Sequence, residues 1–123
     1  MVDPREPTLR VTMLPRDTNA RGTIFGGVIL SHIDLAGAIA ASRQASRNFV
    51  TRAMREVGFI APVYVGDVVS FYTGVLREGR TSVTVQVVVE AERSQEPRRR
   101  VKVTEAEVVY VAVDEAGNPT SIR

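Results

Sequence analysis

Polar and apolar residues alternate along Thr8-Leu9-Arg10-Val11-Thr12-Met13, the period of a half-buried strand, and Pro15 ends it. The stretch from Pro15 to Gly27 holds Asp17, Asn19, Gly22, Gly26 and Gly27 and reads as a loop rich in turn residues. From Gly27 to about Arg43 the pattern changes. The run Gly-Val-Ile-Leu-Ser-His-Ile-Asp-Leu-Ala-Gly-Ala-Ile-Ala-Ala-Ser-Arg is apolar on nearly every helical face. It predicts a helix rising about 24 Å and buried on nearly every side. Its small residues, Ala36, Gly37, Ala38, Ala40 and Ala41, permit a sheet to approach closely.

The rest is strand-like. Phe49 to Ile60, ended by Pro62, is one candidate; Asp67 to Leu76 is another, ended by Glu78-Gly79. Thr81 to Ala91 places Val83, Val85, Val87 and Val89 on one face, and Arg99 to Asp114 is the longest. Most of the 21 valines fall here, as β-branched residues should. Short links around Gly79 and Gln95-Glu96-Pro97 join the last three as an antiparallel meander. The expected architecture is α+β: a curved antiparallel five-stranded sheet wrapped around one long buried helix, a single domain over residues 1–123. One sheet leaves the far side of the helix uncovered, and open edge strands can pair, so a homodimer at least is expected.

Composition narrows the chemistry. A chain of 123 residues with 44% hydrophobic and 24% charged residues is that of a globular protein. No apolar run is long enough to span a membrane, and the charged, proline-bearing start is unlike a signal peptide, so the expected location is cytoplasmic. Zero cysteines and a single histidine leave no thiolate or multi-histidine metal site, so no metal and no cofactor are expected. A net charge of +2 is too small to argue for nucleic acid, although fifteen of the sixteen basic residues are arginine. Chemistry therefore falls to carboxylates, hydroxyls, amides and backbone.

Asp34 is the most informative residue. Its helical neighbours are Leu30, Ser31, Gly37 and Ala38, and an acid among them needs partners or a task as base or nucleophile. Ser31, one turn earlier, is placed to hydrogen-bond it. His32 lies roughly 200° away around the helix, cannot form a dyad with Asp34, and reads as structural or interfacial. Gly26-Gly27 opens the helix, where free amides suit an anion or a developing oxyanion. Asp17 and Asn19 are ordinary turn residues by themselves. Arg98-Arg99-Arg100 at a hairpin tip, and Gly79-Arg80-Thr81-Ser82 at a turn, are candidates to grip phosphate.

The run Asp17-Thr18-Asn19-Ala20-Arg21-Gly22-Thr23-Ile24-Phe25-Gly26-Gly27, continued through Ser31-His32-Ile33-Asp34-Leu35-Ala36-Gly37-Ala38, resembles the hot-dog-fold acyl-CoA thioesterases. The nearest branch is that of the YciA-like enzymes and cytosolic acyl-CoA hydrolases. Phe59-Ile60-Ala61-Pro62-Val63, Val65-Gly66-Asp67-Val68-Val69, Gly79-Arg80-Thr81-Ser82 and the last strand extend the resemblance over nearly the whole chain. It implies a site between two subunits that hydrolyses an acyl-CoA thioester to free acid and CoA, the CoA being part of the substrate. It further implies dimers that share one sheet, and a hexamer built as a trimer of dimers. On matching positions Asp34 is the catalytic acid, Asn19 its partner from another subunit, and the Gly26 and Gly27 amides face the thioester oxygen. Phe25, Gly58 and Phe59 fall on the substrate side, and Arg80, Thr81 and Ser82 on the CoA-binding turn. The chain departs from the family at Gly58, where an Asn is common, and at Ala61, where a Lys is common; both bear on substrate choice more than on reaction type. The alternative is a non-catalytic acyl-CoA binder on the same fold. A hydroxyacyl-CoA dehydratase would rest on a histidine, and His32 is badly placed for that.

Overall fold

The computed structural model describes Val2 and residues 5–55, 57–96 and 99–123. Strand β1 (Leu9–Thr12) leads through a short 3-10 turn, Pro15–Asp17, and a loop into helix α1 (Gly26–Ser42). Strands β2 (Asn48–Arg55), β3 (Val68–Glu78), β4 (Ser82–Glu92) and β5 (Arg100–Val113) follow. They form one five-stranded sheet in the order β1-β3-β4-β5-β2, antiparallel throughout. The meander β3-β4-β5 is as the links predict. The chain then closes the sheet with its first strands, β1 beside β3 and β2 beside β5, as the two edges.

The alternation on β4 fixes which face turns inward. Val83, Val85, Val87 and Val89 are all fully buried, and with Phe71, Val108 and Tyr110 they share one core with Ile29, Ile33, Ala36 and Ala40 of α1. Register shifts at Thr51/Ala53, Val75/Arg77 and Val89/Glu90 mark bulges, which add the bend and twist that let a sheet curl around a helix. Burial of α1 is one-sided within the chain. Ser31, Leu35 and Ser42 are exposed on the side away from the sheet, and Leu35 keeps 51% of its surface.

Two expectations need correction. The second strand ends at Arg55 and not at Ile60. Val103 is the bulged residue of β5, so its carbonyl is free to accept the Ile60 amide at 2.7 Å, and the Thr104 hydroxyl donates to Gly58 O at 2.7 Å. These two bonds pull the chain off the ladder. It then crosses towards the head of α1, where the Ile24 amide donates to Val63 O at 2.8 Å. The loop after β1 also holds the unforeseen 3-10 turn, capped by Asp17, whose Oδ2 accepts the Leu14 amide at 2.9 Å.

Candidate active site

Asp34 sits midway along α1, half-buried, and faces β2 and β5. The Thr51 hydroxyl donates to its Oδ1 at 2.7 Å. The Tyr110 hydroxyl lies 2.7 Å from the Asp34 backbone oxygen and 3.1 Å from the same Oδ1. Oδ1 is therefore held from two strands, while Oδ2 has no hydrogen-bond partner among the described residues. Thr51 and Tyr110 are direct cross-strand partners, and Arg52 is the extra residue at the bulge. That bulge matters. Thr51 and Met54 both turn toward the helix side, which a regular strand forbids for residues three apart.

Tyr110 is 1% exposed. Burial first, then the charge of Asp34 and the hydrogen bond to it, hold the phenol proton far above the ordinary tyrosine range, so Tyr110 stays a neutral donor. Gly37 makes room for it. A Cβ at that position would fall on the Tyr110 hydroxyl and come within 3.0 Å of ring atoms Cε2 and Cζ. The small residues of α1 do admit the sheet closely, and here the close approach is by one specific hydroxyl. Neither Thr51 nor Tyr110 stood out in the sequence; the small residue at Gly37 was the only local signal.

Ser31 does not reach Asp34. Its hydroxyl donates to Val28 O at 2.8 Å, the usual fate of a helical serine. His32 turns away from Asp34: its Nδ1–H donates to Val28 O at 2.8 Å, and its ring stacks on Phe71 at 5.7 Å between centroids. It is a structural residue.

The second group of predicted residues gathers at the head of α1. Gly26 and Gly27 are the first helical residues, after Phe25 as N-cap, so their amides have no acceptor within the helix. The Phe59 ring lies over Gly26, 3.6 Å from where a Cβ would be. A pocket of about 350 Å³ opens there between Thr23, Ile24, Gly26 and Ile29 on one side and residues 59–63 on the other. Phe59, in its wall, is 49% exposed; Phe25 does not line it, is 57% exposed and lays its ring by Gly27; Gly58, next to Phe59 in the chain, is exposed with nothing near its missing side chain. Asn19 braces the loop. Its Oδ1 accepts the amides of Arg21 at 2.8 Å and Thr23 at 3.2 Å, and its Nδ2 donates to the Thr23 hydroxyl at 2.9 Å. It does not meet Asp34 within the chain. Gly26 and Asp34 are eight residues apart, about 12 Å along the helix.

The back wall of the pocket is held from below. Buried Asp67 accepts the Tyr64 amide at 3.0 Å and the Arg93 guanidinium at 2.7 Å, and Arg93 also donates to Pro62 O at 2.9 Å and lies 4.9 Å over the Tyr64 ring. Arg80 and Thr81 lie in the β3–β4 turn; their carbonyls accept the amides of Ile122 and Ala112, Arg80 is exposed and Thr81 half-buried, and Ser82 opens β4. Arg99 pairs with Glu96 at 2.9 Å and Arg100 approaches Glu92 at 4.0 Å, so both sit on carboxylates of their own hairpin. Arg98 lies outside the described residues.

A curled antiparallel sheet around a helix that carries a pinned carboxylate and opens with two glycines defines the class. Residues 21–97 match the Thioesterase superfamily. The chain is 42% identical over 116 residues to the acyl-CoA thioester hydrolase YciA of Escherichia coli K12, covering 93% of this chain and 88% of that one. Its fold superposes on a hexameric hotdog fold thioesterase of Campylobacter jejuni with a TM-score of 0.90 at 46% identity, over 96% and 90% of the two chains. A hexameric broad specificity acyl-coenzyme A thioesterase, solved with one aspartate changed to alanine, gives 0.91 at 40% identity, over 96% and 86%. The chain belongs to the thioesterase superfamily and has the hotdog fold.

Proposed function

We propose that the protein hydrolyses acyl-CoA thioesters to a free carboxylic acid and CoA, with Asp34 as general base. The observation that carries this is the division of its carboxylate: Oδ1 is pinned by Thr51 and Tyr110, and Oδ2 is left for a water. Oδ2 takes a proton from the water as its oxygen attacks the thioester carbonyl carbon. The amides of Gly26 and Gly27 stabilise the oxyanion that forms. The C–S bond then breaks, and the proton passes to the departing sulfur, giving CoA as the free thiol. Thr51 and Tyr110 keep the base in place, and Asn19 orients the water.

The roughly 12 Å between Asp34 and Gly26 requires the two halves of the site to come from two copies. Edge strand β2, with Val50 exposed, is the surface we assign to that pairing, and Leu35 and Phe25 on and before α1 are exposed as well. A trimer of such dimers is the assembly we assign, and two of the solved relatives are hexameric. The turn of exposed Arg80 and half-buried Thr81 and Ser82 receives CoA phosphate, and the apolar pocket under Phe59 receives the acyl chain.

The test is thiol release from acyl-CoAs of increasing chain length by wild type and Asp34→Asn. The chain has no cysteine, so a thiol reagent reads CoA alone. Turnover should fall by several decades in the variant while the assembly persists. Near-full activity in a folded Asp34→Asn would overturn the proposal.

A further inference from the structure

Asp34 is tied to the sheet by two hydroxyls that are not equivalent. Thr51 comes from β2, an edge strand, whereas Tyr110 comes from β5, which has β4 on one side and β2 on the other. The phenol is rigid, buried, and contacts both the backbone oxygen and the carboxylate of the same residue. It reaches them only because position 37 has no Cβ. We infer that Tyr110, seated through the gap at Gly37, is a positioning residue that fixes the Asp34 carboxylate so that Oδ2 faces the attacking water. The inference rests on the reading of Asp34 as base.

Tyr110 acts through Asp34: its hydroxyl reaches the Oδ1 of the carboxylate and the backbone oxygen of the same residue at once. Among the described residues the side chains bonded to the carboxylate are Thr51 from β2 and Tyr110 from β5. His32, on the same helix, is turned to Val28 and Phe71. Removing the hydroxyl should therefore lower kcat and leave KM nearly unchanged, a split that a purely structural residue would not give.

The experiment compares wild type, Tyr110→Phe, Gly37→Ala and Asp34→Asn in the thiol-release assay, with kcat and KM measured separately. Tyr110→Phe should keep its fold and assembly and lower kcat about tenfold with KM little changed. Gly37→Ala, which displaces the same hydroxyl, should give the same signature. A folded Tyr110→Phe whose kcat is unchanged, or whose loss lies in KM, overturns the inference and decides the matter if Gly37→Ala does not fold. Full turnover by Asp34→Asn would instead overturn the base itself, so the two failures are distinct.

Discussion

Replacing Arg93 by methionine strikes the wall of the pocket without touching the reacting groups. The side chains of Arg93 and Asp67 are 14% and 2% exposed and meet at 2.7 Å. Methionine keeps much of the apolar stem but deletes the charge, the bond to Pro62 O and the packing over Tyr64. Asp67 is then left buried with the Tyr64 amide at 3.0 Å and the Ser94 amide at a long 3.3 Å. An uncompensated buried carboxylate of this kind costs about 3–5 kcal/mol, a large share of the roughly 5–15 kcal/mol that holds a domain folded. Asp67→Asn should be similarly costly, because it strands the guanidinium. The double variant removes both charges, so its loss should fall short of the summed single losses by about 2 kcal/mol or more. Urea unfolding at one fixed protein concentration reads all three. An Arg93→Met loss below about 1 kcal/mol, or single losses that simply add, would refute the view that this pair anchors residues 62–64.

Ile33, fully buried on the sheet side of α1, should cost about 2–5 kcal/mol when cut to alanine, seen as a lower urea midpoint at every protein concentration. Leu35, two residues on, about 200° around the helix and 51% exposed, should behave oppositely: Leu35→Ser leaves the chain's own packing intact but makes the assembly dissociate at higher concentration, read by sedimentation. At alkaline pH the raised Tyr110 proton affinity predicts a falling stability. Below about pH 10 both folded and unfolded chains keep that proton; above it only the folded chain does, so stability drops by up to about 1.4 kcal/mol per pH unit. Tyr110→Phe should lose this slope, and equal slopes in the two proteins between pH 9 and 11 would show the reasoning wrong.

Periodicity carried the fold because each element is locally consistent: every inward position of β4 from Val83 to Val89 is valine, and α1 has no polar face to hide. Boundaries failed where long-range bonds won. Nothing between Phe49 and Ile60 says that the strand stops at Arg55; the cause is a bulge carbonyl at Val103, more than forty residues on. The candidate site was legible in the same uneven way. Asp34, Gly26 and Gly27 can be found because helix geometry relates them by spacing alone. Thr51 and Tyr110 lie 17 and 76 residues from Asp34 and reach it only through sheet register, so no local pattern marks them. Gly37 is the exception: a small residue reads as room for a neighbour, though not for which one. The same helix geometry carries the proposal that one chain holds half a site. A reacting carbon must lie roughly 3 Å from both the attacking water and the oxyanion donors. With Asp34 as base and the Gly26 and Gly27 amides as donors, two groups about 12 Å apart on one rigid helix do not meet that condition, which is why the proposed site pairs Asp34 with the head of a second α1.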